Sequence, residues 1–161
     1  MGYSNQQIIQ WYNAVCSLLN NSDNRPVQYN YALLRNRMRL EPLVMAYTDT
    51  LNKISNSPQY AELQKMWQEK VLPNFLVDGK FDQSRNAEFS AACLILAASN
   101  PEWQRAVQER EMEIRNLQQM PVEFSPYQIN YSALPPTISG IEIQQIGFML
   151  KIDDDIPREL N

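Results

Sequence analysis

A mainly α fold is predicted for this 161-residue chain: a single helical domain of about five helices, a small hairpin, and a Pro-rich extended C-terminal strap ending in a short helix or strand. Three observations predict it. Apolar residues recur at helical spacing behind Ser, Asn and Pro start signals through residue 119. Asp78-Gly79, a dipeptide suited to tight hairpin turns, breaks that period between Phe75-Leu76-Val77 and Phe81. From Met120 onward the period is lost and prolines stand at 121, 126, 135 and 136. The predicted organisation is a helical domain over 1–119, with an extended strap and short terminal element over 120–161 packing on or beyond it.

Each element has a local reason. Ser4 and Gln7 form a capping box, and Ile8, Tyr12, Val15 and Leu19 place one stripe on a helix over about 5–20, which stops at the turn-forming run 20–24. Pro26 suits the first turn of a second helix. Val27, Tyr31, Leu34, Met38 and Met45 then read as its inward stripe, continued by Leu51 and Ile54 to Ser55. Pro42 removes one hydrogen bond to the Met38 carbonyl, which predicts a kink rather than a restart.

Ser57-Pro58 starts a short third helix, striped by Tyr60, Leu63, Trp67 and Val71 and ending before Pro73. A fourth helix over about 84–99 is apolar on nearly every side from Ala91 to Ala98, so it is expected at the middle of the core. Trp67, Trp103 and the segment 94–96 are expected to be buried with it. Asn100-Pro101 opens a fifth helix with Trp103, Val107, Ile114 and Leu117 inward. Beyond it, Ser139-Gly140-Ile141-Glu142 is a second capping box, and exposed apolar area is expected to concentrate between Met120 and Ile152.

Composition limits the chemistry. Apolar residues make up 44% and charged residues 20%, with three Trp, eight Tyr and five Phe, which supports a packed interior and argues against global disorder. The chain has no histidine, so the commonest general base and transition-metal ligand are missing. Cys16 and Cys93 each sit in an apolar helical pattern and read as reduced core residues. Asp153-Asp154-Asp155 lacks the glycine and spacing of a calcium loop and reads as a solvated tail. Glu102, Glu109, Glu111 and Glu113, near Arg105 and Arg110, read as a solvated helix face rather than an acid and base pair. No enzymatic activity, no cofactor and no metal site are therefore expected.

A formal charge of −4, from 14 basic and 18 acidic residues, gives no overall attraction to nucleic acid or anionic lipid. The beginning of the sequence lacks a signal-peptide pattern and no run approaches 18 apolar residues, so neither export by that route nor membrane attachment is expected. The one basic cluster is Arg35-Asn36-Arg37-Met38-Arg39. Its Arg35 and Arg39 share a helix face, where a phosphate chain or an acidic protein surface could bind.

Three stretches carry a family resemblance. They are the first helix ending in Ser17-Leu18-Leu19-Asn20, the long helix from Arg25-Pro26-Val27 to Leu40-Glu41-Pro42, and the closing segment from Ile138-Ser139-Gly140-Ile141-Glu142 through Phe148-Met149-Leu150. In these the chain resembles a family of small tailed-bacteriophage proteins of unknown function, with genes near the tail and lysis regions. The resemblance covers about half the chain, chiefly its two ends. The middle departs from the pattern and reads as an insertion. No functional residue carries over.

The resemblance implies a viral origin and a place in the virion or the bacterial host cytoplasm. The expected function is that of a non-enzymatic structural or assembly protein of a tail, neck or related component, in contact with other viral proteins or itself. A free phage regulator that binds and inhibits a host protein is the alternative, and nucleic-acid binding through the Arg35/Arg39 face is a third reading. The expected contact residues are Arg35, Arg39, Phe124, Tyr127, Tyr131 and Phe148.

Overall fold

Ser4 opens the first helix as its sequence predicts. Its backbone amide donates to Gln7 Oε1 at 2.9 Å, and the Gln7 amide donates to Ser4 Oγ at 3.3 Å, so both halves of the capping box form. In the computed structural model, which describes residues 2–20, 25–55 and 57–151, the helix that follows is α1 (Asn5–Asn20). The later helices are α2 (Val27–Ser55), α3 (Pro58–Met66), α4 (Asn86–Ala98), α5 (Pro101–Gln119) and α6 (Gly140–Ile146). Sheet among the described residues is confined to two antiparallel ladders, β1 (Gly2–Ser4) with β4 (Pro121–Glu123) and β2 (Leu76–Val77) with β3 (Lys80–Phe81), so the fold is mainly α.

The chain divides into two compact units, residues 1–47 with 118–161 and residues 48–117. One boundary falls near residue 119, where the helical period ends in the sequence; the other falls within α2.

In the first unit α1 contributes Ile8, Val15 and Leu18 to the core, and α2 contributes Tyr29, Ala32, Leu33 and Leu40. This reverses the expected orientation of α2. The stripe Val27, Tyr31, Leu34, Met38 and Met45 is 48–84% exposed, while the opposite side of the helix is fully buried. At about 100° per residue the five exposed positions fall within an arc of about 60°, diametrically across from Tyr29, Asn36 and Leu40. The helix does not restart at Pro42 but runs unbroken through it.

The strap closes this unit. Ile129 donates its amide to the Met149 carbonyl at 2.9 Å and accepts from the Lys151 amide at 2.9 Å, forming a parallel bridge with Leu150. Ile129, Ile146, Met149 and Leu150 are buried in the same core as Tyr29 and Leu33. The expectation that residues 120–152 hold most of the exposed apolar area is thus overturned. Backbone bridging fixes which side of the strap faces inward, and Ile129, Met149 and Leu150 join the core to which α1 and α2 contribute. Residues 153–155 lie outside the described residues.

Arg25 ties three elements together. Its Nη1 donates to the Leu18 carbonyl at 3.1 Å, its Nη2 lies 3.3 Å from Glu142 Oε1, and its guanidinium sits over the Tyr29 ring. The second capping box also forms, with the Ser139 hydroxyl accepting from the Glu142 amide and Glu142 accepting from Ser139. These bonds from Ser139, and then the charge of Arg25, hold the Glu142 carboxyl below its ordinary value. A depressed carboxylate stabilises the fold fully above the unfolded value of about 4.3 and loses that contribution as pH falls through the lower folded value. Ser139→Ala is expected to cost about 1 kcal/mol in chemical unfolding at neutral pH. Glu142→Gln is expected to flatten the acid limb of the stability curve below pH of about 4.

Tyr29 makes a separate prediction. Its hydroxyl is buried and has no hydrogen-bond partner among the described residues, and burial raises its pKa against the opposing pull of Arg25. An unpaired buried hydroxyl costs free energy, so Tyr29→Phe is expected to leave stability unchanged or raise it by up to about 1 kcal/mol. A loss of that size on urea denaturation would mean that the hydroxyl is bonded.

The second unit is built on two small apolar clusters. Tyr60, Leu63 and Ala97 form one, with Trp67, Trp103 and Val107 against it; Val71, Phe75 and Cys93 form the other, with Trp67, Phe81 and Phe89. Trp67 touches both and donates its indole N–H to the Cys93 carbonyl at 3.0 Å. The hairpin turns at Asp78-Gly79, both with positive φ (51° and 75°), as the dipeptide predicts. The Asn100 side chain caps α5 by accepting from the Glu102 amide at 2.9 Å.

The expected central position of α4 is not found. It buries only Cys93 and Ala97, while Leu94 and Ile95 are 59% and 73% exposed and Leu96 is half-buried. Trp67 and Trp103 are half-buried rather than enclosed. A helix of this composition packs equally well by any face, so its apolarity does not fix how many neighbours it meets. Both cysteines are free; Cys93 is buried and Cys16 half-buried.

Candidate functional site

The outward face of α2 and the strap segment lying against it form the candidate site, all within the first unit. Asn36, fully buried, sets the geometry. Its Nδ2 donates to the Ala32 carbonyl at 3.0 Å and the Tyr127 carbonyl at 2.9 Å, and its Oδ1 accepts from the Tyr127 amide at 2.8 Å. One side chain thus satisfies both backbone groups of Tyr127, as a paired strand would. The Tyr127 ring is thereby held edge-on to the Tyr31 ring, with centroids 5.6 Å apart.

Two arginines pack on these rings. The Arg35 guanidinium lies 6.0 Å from the Tyr31 centroid and that of Arg39 lies 5.8 Å from the Tyr127 centroid, while Arg39 Nη1 donates to the Ser125 carbonyl at 2.9 Å. Beside them is a hollow of about 260 Å³, lined by Gln28, Tyr31, Tyr127, Asn130, Ser132 and Lys151 among others, and no carboxylate among the described residues lines it. Among the described residues, Arg35, Arg37 and Arg39 form no salt bridge. Among the described residues the charged groups at these rings and this hollow, Arg35, Arg39 and Lys151, are all positive, in a chain whose formal charge is −4.

The structure therefore brings together Arg35, Arg39 and Tyr127 of the expected contact residues. Tyr131, on a single turn at Tyr131–Ala133 next to Ser132, is exposed close by. Phe124 and Phe148 lie elsewhere, in an aromatic cluster with Tyr3 and Trp11. Trp11 stacks on Phe148 at 4.5 Å and meets Phe124 at 5.9 Å, so these two rings serve internal packing. Sequence reasoning missed Asn36, Tyr31 as an exposed partner of Tyr127, and Lys151. The available signal was the presence of two apolar stripes on α2, of which one small unit can cover only one.

Other concavities carry less chemistry. A hollow of about 540 Å³ between α1 and α6 is lined by Trp11 and neutral side chains such as Gln10, Asn13 and Gln144. In the second unit Gln59, Glu102, Arg105 and Glu109 line one of about 290 Å³. Among the described residues no cluster of three or more His, Cys, Asp or Glu side chains could hold a metal ion, and no helix is long and apolar enough to cross a membrane.

Comparison with known proteins adds no relative: no family model, no curated protein and no solved structure matches the chain. What fold and face define is a mainly α protein with an outward apolar helix stripe edged by arginines.

Proposed function

We propose that this chain is a non-enzymatic structural or assembly protein, working by protein–protein contact, and that the outward face of α2 is its docking surface. The observation that carries the reading is the exposure of Val27, Tyr31, Leu34, Met38 and Met45 on a helix whose other side is closed against its own core. Five large apolar side chains in one narrow stripe gain from being covered, at roughly 25 cal/mol per Å² of apolar area removed from water. The arginines along the stripe favour an acidic protein surface as the cover.

The strap, which holds four of the six contact residues the sequence offered, is largely committed to its own core, so the docking role falls to α2. The setting proposed is a tailed-phage particle, with the resemblance of the two chain ends as its support. Mass spectrometry of purified particles tests it: the chain is expected in fixed stoichiometry and is expected to be lost from particles when Met38→Asp is introduced. Absence of the wild-type chain from particles, with a host protein co-purifying instead, would overturn the assembly role in favour of a free regulator.

A further inference from the structure

We infer that the partner segment is an acidic amphipathic α-helix laid along α2, and that a second copy of this chain is not the cover. The inference rests on the docking reading above and names its partner class.

The spacing of the stripe selects a helix. Val27, Tyr31, Leu34 and Met38 follow one another at intervals of four, three and four residues, and Met45 continues the series with Glu41 at the missing rung. Alternating threes and fours are the seam of two helices packed side by side. Successive rungs rise by about 5.2 Å, close to the 5.4 Å pitch of a partner helix, whereas an extended strand presents same-face side chains about 6.7 Å apart and drifts out of step. The seam from Val27 to Met45 is about 27 Å long, which a partner helix of about 18 residues covers.

The edges select its charge. Arg35 and Arg39 border the stripe on one side and Arg37 on the other, and these three have no carboxylate partner among the described residues. Arg35 Nε is buried without a hydrogen-bond partner among the described residues. Acidic residues flanking the seam of the partner helix would meet all three.

The same arginines argue against self-pairing. A parallel copy sets its three arginines level with the first three. An antiparallel copy that places Leu34 over Met38 turns about residue 36 and brings Arg35 and Arg37 level with Arg37 and Arg35 of the copy. Sliding by one heptad relieves this but sets Met38 on Glu41 and Tyr31 on Thr48; sliding the other way leaves Met45 uncovered. Like charges held together and apolar side chains set on polar ones both oppose association.

Three synthetic peptides of about 21 residues test this by fluorescence anisotropy against the full chain at about 150 mM salt: a Leu-seamed helix with Glu flanks, the same helix with Lys flanks, and a scrambled peptide of the Glu composition without the seam. The Glu-flanked helix is expected to bind at least about tenfold tighter than either other peptide. Met38→Asp or Leu34→Asp is expected to remove that binding with circular dichroism and unfolding midpoint unchanged. Met38→Ser serves if the charged variants fail to fold. Combined Arg35→Glu, Arg37→Glu and Arg39→Glu is expected to reverse the preference towards the Lys flanks.

Equal binding of the scrambled or Lys-flanked peptide, or no binding of the Glu-flanked helix, would overturn the inference. So would a wild-type dimer in sedimentation that Met38→Asp splits. A chain found in particles that ignores the Glu-flanked helix leaves the assembly reading standing without this partner. A chain that binds the helix but is missing from particles does the reverse.

Discussion

Asn36→Ala is expected to destabilise the first unit by about 3 kcal/mol, the largest loss expected from any single polar side chain in it. The buried amide makes three hydrogen bonds to backbone groups, two of them to Tyr127, and a longer one to the Met149 sulfur. Truncation leaves the Tyr127 N–H and C=O without that partner where water has little access, and each such group costs about 1–3 kcal/mol. The measurement is hydrogen exchange at the Tyr127 amide together with urea unfolding. Exchange should accelerate in step with the global loss, because the strap is pinned to α2 at this point.

Asn36→Asp separates bonding from shape. The carboxylate keeps the acceptor for the Tyr127 amide but loses the donors to the Ala32 and Tyr127 carbonyls, and it buries a charge. Its folded pKa should rise, since burial disfavours the ionised form, so the variant should gain stability as pH falls through that raised value. Wild-type stability in both Asn36 variants would mean that Tyr127 is held by something other than this side chain.

The fold was legible wherever a local signal decided it. Ser4 with Gln7 and Ser139 with Glu142 are bonds between residues three apart, so their sequence spacing already contains their geometry. Asp78-Gly79 likewise fixes a turn through backbone preference alone. Burial was less legible, because it depends on what else the chain brings to a face. The apolar run through Leu94 and Ile95 says that α4 can be buried but not that a neighbour exists on each side. The strap looked free because it has no periodicity, yet Ile129 finds its partners at Met149 and Lys151 through backbone bonds that side-chain pattern does not encode.

Part of the candidate site was legible and part was not. Arg35, Arg39 and Tyr127 stood out as cations and an aromatic ring in a polar context, and the structure does gather them. Phe124 and Phe148 stood out for the same aromatic reason and are absorbed by Trp11. No spacing rule separates those outcomes, since the contacts of Tyr127 with residues 31, 36 and 39 cross about half the chain.

Leu33→Ala and Leu34→Ala put the two faces of α2 to a direct comparison. Leu33 is fully buried, and truncating it should cost about 3 kcal/mol from lost burial and the cavity left behind. Leu34, one residue on, is 48% exposed, so the same truncation should change stability by no more than about 0.5 kcal/mol. Helix propensity is identical for the two substitutions, so the difference in urea midpoint reports burial alone. Had the Val27–Tyr31–Leu34–Met38–Met45 stripe been the inward one, the order would be reversed, with Leu34→Ala the costly change. The sequence supported that reversed reading because Asn36 and Ala32 interrupt the truly buried face with a polar and a small residue, while the outward face is large and apolar at every rung but Glu41. The helix therefore carries its more hydrophobic-looking side to solvent, and the partner-binding reading depends on that inversion. A Leu34→Ala variant that unfolds as readily as Leu33→Ala would place the stripe inside and leave the docking proposal without a surface.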